Sequence, residues 1–406
     1  MGTNNRYHST VTAEGHLVDS GSLSEAMDLI VRGGATFKVR QFTLGSTNTQ
    51  PSRAVIDVVA PAEDLLHRVL DRLIRLGFYT AEVREPVIRK STKDGTVPED
   101  FYSTTNHTTE VYLNGQWRRV SSQRMDAVIV VSDDNMQVEC RKLRDIKRGE
   151  RVVCGHEGIR ILPEFKERDR SDFAFMTNEV SSEKKVEWIV RRVAEWITRR
   201  TGRLVVVAGP VVIHTGGVEP LARIIAAGHI DALLAGNALA VHDVERALYG
   251  TSLGVDTRTG VPVDNGHQHH MRAINAIRRA GGIKQAVKKG LLTDGVMHAL
   301  VTHKVPYVLA GSIRDDGPLP EVVTDVNLAQ EEYWRLLQGA EIVLMLSSML
   351  HSIAVGNMLP AWVKTVCVDI NPQVATKLTD RGSHQAIGCV TDVGLFLHLL
   401  ADRLKA

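Results

Sequence analysis

Dithiol chemistry is the first thing this chain lacks: its four cysteines, Cys140, Cys154, Cys367 and Cys389, lie far apart with no C-x-x-C pair. Cys367 and Cys389 fall inside strand-like apolar runs, where a buried, reduced thiol is expected, as in a reducing cytoplasm. Charge of one sign is missing too. Lys and Arg number 49 against 47 Asp and Glu, for a net charge of +2. The two signs are interspersed, so no global field favours nucleic acid or a membrane. Pairs such as Arg199-Arg200 read as solvated helix faces. No apolar run is long enough to span a bilayer, because Ile342–Val363, the longest, is broken by Ser347, Ser348, His351, Ser352, Asn357 and Pro360. The N-terminus has no apolar core of a signal peptide, and Arg6 stands where a myristoylation motif beginning at Gly2 needs Ser or Thr. A P-loop is absent, which removes an NTPase, and no G-x-G-x-x-G supplies the usual dinucleotide fingerprint. His267-Gln268-His269-His270 follows a turn, Asp264-Asn265-Gly266, with no second ligand cluster at matching spacing, so no metal is expected.

What is present fits a soluble globular protein, with 43% apolar and 24% charged residues over 406 positions, too many for one ordinary core. The first ~20 residues read as irregular, with residues 1–9 fraying. Leu23, Ala26, Leu29 and Ile30 line one face of a helix over residues 22–32, ended by Gly33-Gly34. Strands follow near residues 36–44 and 54–59, and Pro61 opens a helix running through Ile74 to Gly77. Asn114-Gly115, between Tyr112-Leu113 and Gln116-Trp117, predicts a type I′ hairpin. Further strands fit residues 127–131, 137–140 and 151–154. Residues 1–165 therefore read as a strand-rich α+β domain. A charged segment, Pro163 to Asp172, links it onward, and an amphipathic helix begins at Ser181-Ser182-Glu183. From there strands and helices alternate to Leu404, which predicts an α/β fold with a doubly wound, mostly parallel, Rossmann-like domain over residues 173–406.

Six apolar runs of that second half stop abruptly at small or polar residues. Leu204–Ala208 meets Gly209-Pro210 and then His214-Thr215-Gly216-Gly217; Ala232–Ala235 meets Gly236-Asn237; Tyr307–Ala310 meets Gly311-Ser312. Ile342–Leu346 meets Ser347-Ser348 and His351, Thr365–Val368 meets Asp369-Ile370-Asn371-Pro372, and Ala386–Val390 meets Thr391-Asp392. Short apolar runs spaced by helix lengths are buried parallel strands, and ligands of such sheets bind outside the carboxyl ends. An acid at a strand end suits ribose hydroxyls, so Asp369 is a candidate for an adenosine, although a turn or N-cap role suits it as well. Thr391-Asp392 repeats the arrangement one strand on. Gly209, Gly216-Gly217, Gly236 and Gly311 stand where backbone would approach a pyrophosphate, a reading that rests on their joint placement because strand-to-helix turns use glycine anyway. Arg314 is a fork for a substrate carboxylate and Asp315 or Asp316 a contact or base for an ammonium, unless the turn is merely salt-bridged. Ser103–Thr109, a loop of turn-formers, also offers hydroxyls and amides to an amino acid.

Longer motifs narrow this. Gly15–Ser20, Thr104-Thr105-Asn106-His107, Val207–Pro210 with His214-Thr215-Gly216, Leu234–Asp243, Leu309–Pro320, Met349–Pro360 and Cys367–Pro372 together resemble the archaeal-type ornithine cyclodeaminase family, whose N-terminal part is the LOR/SDH conserved region. The resemblance runs from about Gly15 onward, and the same two-domain unit is similar to the C-terminal part of the cyanobacterial bifunctional arginine dihydrolase/ornithine cyclodeaminase; the dihydrolase domain is absent here. It implies a second domain similar to the NAD-binding fold of deoxyhypusine synthase, which needs no glycine fingerprint. It also implies a redox-neutral lyase reaction. Hydride leaves Cα of L-ornithine for NAD+, the δ-amine closes on the resulting imine, ammonia departs and the hydride returns to give L-proline. Within that frame Asp315, Asp316 and His214 are the candidates for catalysis, and Arg314, Thr104 and Asn106 for substrate binding. The cofactor would be held by Gly209, Thr215, Gly216, Gly236, Asn237, Ala238, Ser312, Ser348, His351, Asp369, Asn371, Thr391 and Asp392. A cytoplasmic homo-oligomer, dimer or tetramer, without nucleic-acid or membrane partners is the accompanying expectation. A nicotinamide enzyme of another basic amino acid or a cyclic imino acid, of the lysine and saccharopine type, is the alternative. A non-catalytic NAD- or amino-acid-binding module is a third possibility, against which the charged Arg314–Asp316 turn speaks.

Overall fold

The computed structural model describes residues 7–15, 17–18, 21–45, 50–80, 83–162, 182–263, 266–315, 317–381 and 386–406. Backbone packing divides the chain into two units. One comprises residues 1–173 with Leu359–Ala361, the other Ala174–Met358 with Trp362–Ala406.

The first unit begins with β1 (Tyr7–Gly15), α1 (Ser22–Arg32), β2 (Thr36–Thr43), β3 (Ser52–Ala60), α2 (Glu63–Arg75) and β4 (Tyr79–Thr80). This βαββαβ run forms an antiparallel sheet in the order β2-β3-β1-β4, a ferredoxin-like arrangement. Residues 7–15 are thus not irregular, while residues 1–6 lie outside the described residues. Residues 7–15 pair with β3 along their whole length, from Tyr7 opposite Ala60 to Gly15 opposite Ser52. A non-local register of this kind has no local sequence signal. Val11, Ala13, Ile56 and Val58 meet Ala26, Ile30, Val69 and Leu73 of the two helices in one core.

Next come β5 (Val87–Lys90), β6 (Thr108–Leu113), β7 (Gln116–Arg119), β8 (Val128–Val131), β9 (Val138–Arg141), β10 (Arg151–Cys154) and β11 (Ile159–Leu162). They build two antiparallel sheets, β5-β10-β8-β9 and β11-β6-β7, whose inward residues Val111, Leu113, Ile129, Val153 and Ile161 share a core. The β6–β7 connection is the expected I′ turn, with Asn114 at φ 52° and Gly115 at φ 76°.

The second unit opens with α3 (Ser182–Arg199), β12 (Arg203–Ala208), α4 (Val211–His214), α5 (Val218–Ala226), β13 (Ala232–Gly236) and α6 (Asn237–Tyr249). A small hairpin of β14 (Thr251–Ser252) and β15 (Val255–Asp256) follows, then α7 (His269–Ala280), α8 (Ile283–Lys288) and α9 (Val296–Thr302). The chain continues through β16 (Tyr307–Ala310), β17 (Val322–Val323), α10 (Val326–Leu337), β18 (Ala340–Leu346) and α11 (Met349–Met358). It closes with β19 (Lys364–Asp369), α12 (Pro372–Arg381), β20 (Ala386–Val390) and α13 (Val393–Leu404). One parallel sheet runs β17-β16-β13-β12-β18-β19-β20. Setting aside the short edge strand β17, that is the order 3-2-1-4-5-6 of dinucleotide-binding sheets, with its switch point between β12 and β18. Val205, Leu233, Val343 and Val366 are all fully buried, because helices cover both faces. All four cysteines are free and buried. Among the described residues no helix is long and apolar enough to cross a membrane, and no three His, Cys, Asp or Glu side chains are grouped to hold a metal ion.

Candidate functional site

Every polar ending singled out in the second half of the sequence lies at the carboxyl end of a strand of this one parallel sheet, which lines them along one edge. At the switch point the Gly209 amide donates to the Leu346 carbonyl at 2.9 Å, and a Cβ on Gly209 would stand 2.0 Å from the Ser347 carbonyl oxygen. The two loops therefore touch where only glycine fits. Ser347 itself sits at φ 46°, its amide donating to the Val368 carbonyl at 2.9 Å. This turn aims α11 so that the Ser348 hydroxyl lies 3.1 Å from Nδ1 of His351.

His351 joins three strand ends. Its ring edge rests on Gly236, where a Cβ would come within 2.8 Å of Cε1 and 3.1 Å of Nε2. Tyr333, whose hydroxyl donates to the Ala235 carbonyl at 2.7 Å, places its ring centroid 6.2 Å away. Burial holds the imidazole below its ordinary pKa, with the Asp315 carboxylate pulling in the opposite direction. Asp315 belongs to a compact turn: its Oδ2 accepts from the Ser312 amide at 2.7 Å, and the Ser312 hydroxyl accepts from the Arg314 amide at 3.1 Å. Arg314 is exposed, and Ile313 beside it is entirely so. Asp316 lies outside the described residues. Asn237, buried at the start of α6, accepts the Leu319 amide at 3.1 Å, and Ala238 follows on the same turn.

On the other side of β12, His214 ends α4, exposed, with Nδ1 at 2.7 Å from the Ser252 hydroxyl and its ring centroid 5.1 Å from that of His242. Desolvation first, then the His242 charge, hold His214 below its ordinary pKa, against an opposing pull from Glu245. The Thr215 hydroxyl donates to the Val211 carbonyl at 3.0 Å, Gly216 follows at φ 78°, and Gly394 fits against the Thr215 carbonyl. This brings Thr215 beside Asp392, the N-cap of α13, whose carboxylate accepts the Leu395 amide at 2.9 Å. The turn reading of Asp369 also holds, since its Oδ1 accepts the Asn371 amide at 2.8 Å. Asn371 in turn accepts the Gln373 amide at 2.9 Å, and the Thr391 amide donates to the Asp369 carbonyl at 3.2 Å. A carboxylate has two oxygens, so Asp369 at the end of β19 retains acceptor capacity for a diol.

A nicotinamide dinucleotide fits this arrangement: a switch-point crevice floored by Gly209 and Gly236, a polar end at Asp369 to Asp392 and an imidazole-lined end at His351. Thr104 and Asn106 belong to the first unit and are both buried. The Thr104 hydroxyl lies 2.7 Å from the Arg124 carbonyl, within reach of the Ala127 carbonyl, and accepts the Ala127 amide at 3.0 Å, so it holds its own loop.

The expectation that no G-x-S-x-G occurs is wrong: Gly250-Thr251-Ser252-Leu253-Gly254 has that spacing of a hydrolase elbow. The structure makes it something else. It leaves the C-terminus of α6 into an antiparallel hairpin instead of turning from strand to helix, and Ser252 is buried. Glu245, whose surroundings are described below, gave no signal, because an acid inside an amphipathic helix reads as solvated.

Comparison with known proteins agrees with this architecture. Residues 187–400 match the family described as arginine dihydrolase ArgZ-like, C-terminal, Rossmann fold, residues 108–190 its C-terminal first region, and residues 8–107 the LOR/SDH bifunctional enzyme conserved region. The chain is 50% identical over 404 residues to a protein of Methanocaldococcus jannaschii named ornithine cyclodeaminase, covering 97% of this chain and 96% of that one. The crystal structure of apo ArgZ, an arginine dihydrolase from the ornithine-ammonia cycle in cyanobacteria, superposes with a TM-score of 0.86 at 44% identity, covering 99% of this chain and 59% of that one. The ternary complex of AgrE with ornithine and NAD+ superposes with a TM-score of 0.54 at 47% identity, covering 100% of this chain and 58% of that one. This chain therefore spans under two thirds of the cyanobacterial proteins and nearly all of the archaeal one. With a family match over more than half its length and a half-identical relative covered almost end to end, the chain belongs to the family of the archaeal ornithine cyclodeaminases and the C-terminal region of ArgZ and AgrE.

Proposed function

We propose that this chain is an NAD-dependent ornithine cyclodeaminase that converts L-ornithine to L-proline and ammonia. The observation that carries the reading is the 3-2-1-4-5-6 sheet with polar strand ends gathered about its switch point, in a chain half identical to an archaeal protein of that name. When bound, NAD+ supplies the acceptor and later the donor of the Cα hydride, so the reaction is redox-neutral.

The residues divide the remaining work. Asp369, Asn371, Thr391 and Asp392 hold the adenosine end, and Gly209, Thr215 and Gly216 lie along the pyrophosphate. Gly236, Asn237, Ala238, Ser312, Ser348 and His351 surround the nicotinamide. Arg314, exposed on its turn, anchors the substrate carboxylate. Asp315 faces the substrate ammonium, and Asp316 shares that role. His214 is the base that frees the α-amine. Its exposure, its anchored Nδ1 and a pKa held below the ordinary value keep an unprotonated nitrogen available at neutral pH. Thr104 and Asn106 belong to the substrate module, residues 1–165, with Thr104 acting through the loop it holds; residues 173–406 form the nucleotide module.

A cytoplasmic setting is supported by the four unpaired, buried thiols. A homo-oligomer, dimer or tetramer, is supported by β2. This edge strand pairs only with β3 among the described residues, and seven of its eight positions are exposed, Val39 and Phe42 among them.

The test is incubation of the purified protein with NAD+ and L-ornithine while proline, ammonia and absorbance of the reduced cofactor are followed together. Proline and ammonia in equal amounts with no accumulated NADH is the expected result. Net NADH, or turnover of lysine in place of ornithine, overturns it.

A further inference from the structure

Behind His214 the second unit holds buried polar side chains that the reaction above does not employ. Glu245 lies on α6 with no exposed side-chain surface. Its Oε1 accepts from the Thr251 hydroxyl at 3.0 Å and the Gly254 amide at 2.9 Å. Its Oε2 accepts from the Leu253 amide at 3.2 Å and lies 3.0 Å from Nδ1 of His242. Burial is the largest single influence and raises the Glu245 pKa, but the bonds from His242, Gly254 and Thr251 outweigh it and leave the carboxyl below its ordinary value. The group is therefore a buried carboxylate with four donors.

Two consequences follow from its place in the fold. Through Thr251, Leu253 and Gly254 it clamps the β14–β15 hairpin, and this hairpin presents the Ser252 hydroxyl to His214. Because the Thr251 proton goes to Glu245, the Thr251 oxygen accepts from Nδ1–H of His269 at 2.8 Å, which ties α7 into the same knot. Because Glu245 accepts from His242, that ring carries a proton on Nδ1. It lies against His214 with 5.1 Å between centroids and 58° between planes. When Nδ1–H of His214 donates to Ser252, the lone pair falls on Nε2 at the exposed edge, the tautomer a base needs.

We propose that Glu245, His242 and Ser252 are positioning residues that set the tautomer and the proton affinity of His214. This rests on the reading of His214 as the base. The neighbouring ionisable groups on α6 are engaged elsewhere: Asp243 caps α9 through the Val296 and Met297 amides, and Arg246 pairs with Asp294. His242 and Glu245 are thus the titratable groups that act on His214, in opposite directions.

Opposed signs make the test decisive. In the NAD-loaded enzyme, the acid limb of kcat/KM for ornithine and the imidazole titration of His214 by NMR are both followed. Glu245→Gln keeps the shape and removes the negative charge, so both readouts move to lower pH, by on the order of half a unit. His242→Gln removes the competing positive charge, so both move to higher pH. Ser252→Ala lowers kcat by at least about tenfold with KM unchanged, because the base loses its fixed tautomer. A merely structural Glu245 would lower the unfolding midpoint of Glu245→Gln and leave both titrations in place, which overturns the proposal. Should that variant not fold, unmoved titrations in His242→Gln overturn it equally. His214→Gln separates the two levels: full turnover there removes the base assignment itself, whereas lost turnover there with unmoved titrations in the other variants removes the positioning alone.

Discussion

Gly236 lacks a Cβ where the imidazole of His351 lies: a Cβ there would be 2.8 Å from Cε1 of the ring. Gly236 has φ −89° and ψ 167°, a conformation open to any residue, so the need for glycine is steric alone. Gly236→Ala should push His351 off its bond to Ser348. The expected outcome is a loss of about 1–3 kcal/mol in denaturant unfolding, the range for overpacking. An NAD+ affinity reduced by about tenfold should accompany it, measured by calorimetry.

Arg314 is exposed at the end of β16, and its backbone is held through Ser312. Arg314→Ala should raise KM for ornithine by about tenfold or more, as for a lost carboxylate fork. The unfolding free energy should change by less than about 0.5 kcal/mol, as for a surface site. An unchanged KM would remove the anchor assignment.

Both His214 and His351 have pKa values below the ordinary 6.5, chiefly through desolvation. Folding therefore favours their neutral forms. The stability they contribute is complete above pH 6.5 and is lost as pH falls through the folded values. The kcat/KM profile should accordingly be flat above pH 6.5 on its acid side and fall below it. The unfolding midpoint should drop over the same window, and equilibrium unfolding across a pH series checks it.

Gly115 occupies the left-handed region at φ 76° in the β6–β7 turn. Gly115→Ala should cost about 1–2 kcal/mol, the penalty of a Cβ in that conformation. Because this turn belongs to the first unit, NAD+ affinity should be unaffected. Calorimetric unfolding beside NAD+ titration checks both halves.

Burial pushes the Cys140 and Cys154 thiols up to about 11 and those of Cys367 and Cys389 to about 12. A thiol reagent at mildly alkaline pH should label none of the four in the native protein and all four after denaturation. Labelling of the native protein with mass-spectrometric mapping is the check.

Some of this was written locally. Asn114-Gly115 predicts its turn because both residues accept positive φ, and the structure forms it. The apolar runs that end at Gly209, Gly236, Gly311, Ser347, Asp369 and Thr391 are strands, since buried parallel strands leave an unmistakable run of β-branched and aliphatic residues. Other features escaped. Residues 7–15 looked irregular because their partner, β3, lies some forty residues away. By sequence Asp369 suits a ligand or a turn and Asp392 a ribose or adenine, and both accept a local amide. Glu245 carried no mark at all, and the G-x-S-x-G spacing around Ser252 points to a strand-to-helix elbow that the fold does not form.

The order of apolar and polar residues along the chain was enough to establish a strand-rich first part, a doubly wound second part and the family, because periodicity and short motifs are local properties. Which strand stands beside which is not local. Only the folded sheet put β18 next to β12, brought the Ser347 carbonyl against Gly209 and the His351 ring against Gly236, and so lined six separate strand ends along one edge. The knot of Glu245, His242, Thr251 and Ser252 behind His214 is likewise tertiary. A buried carboxylate is tolerated only where several donors converge on it, and that convergence exists once the helix and hairpin have met.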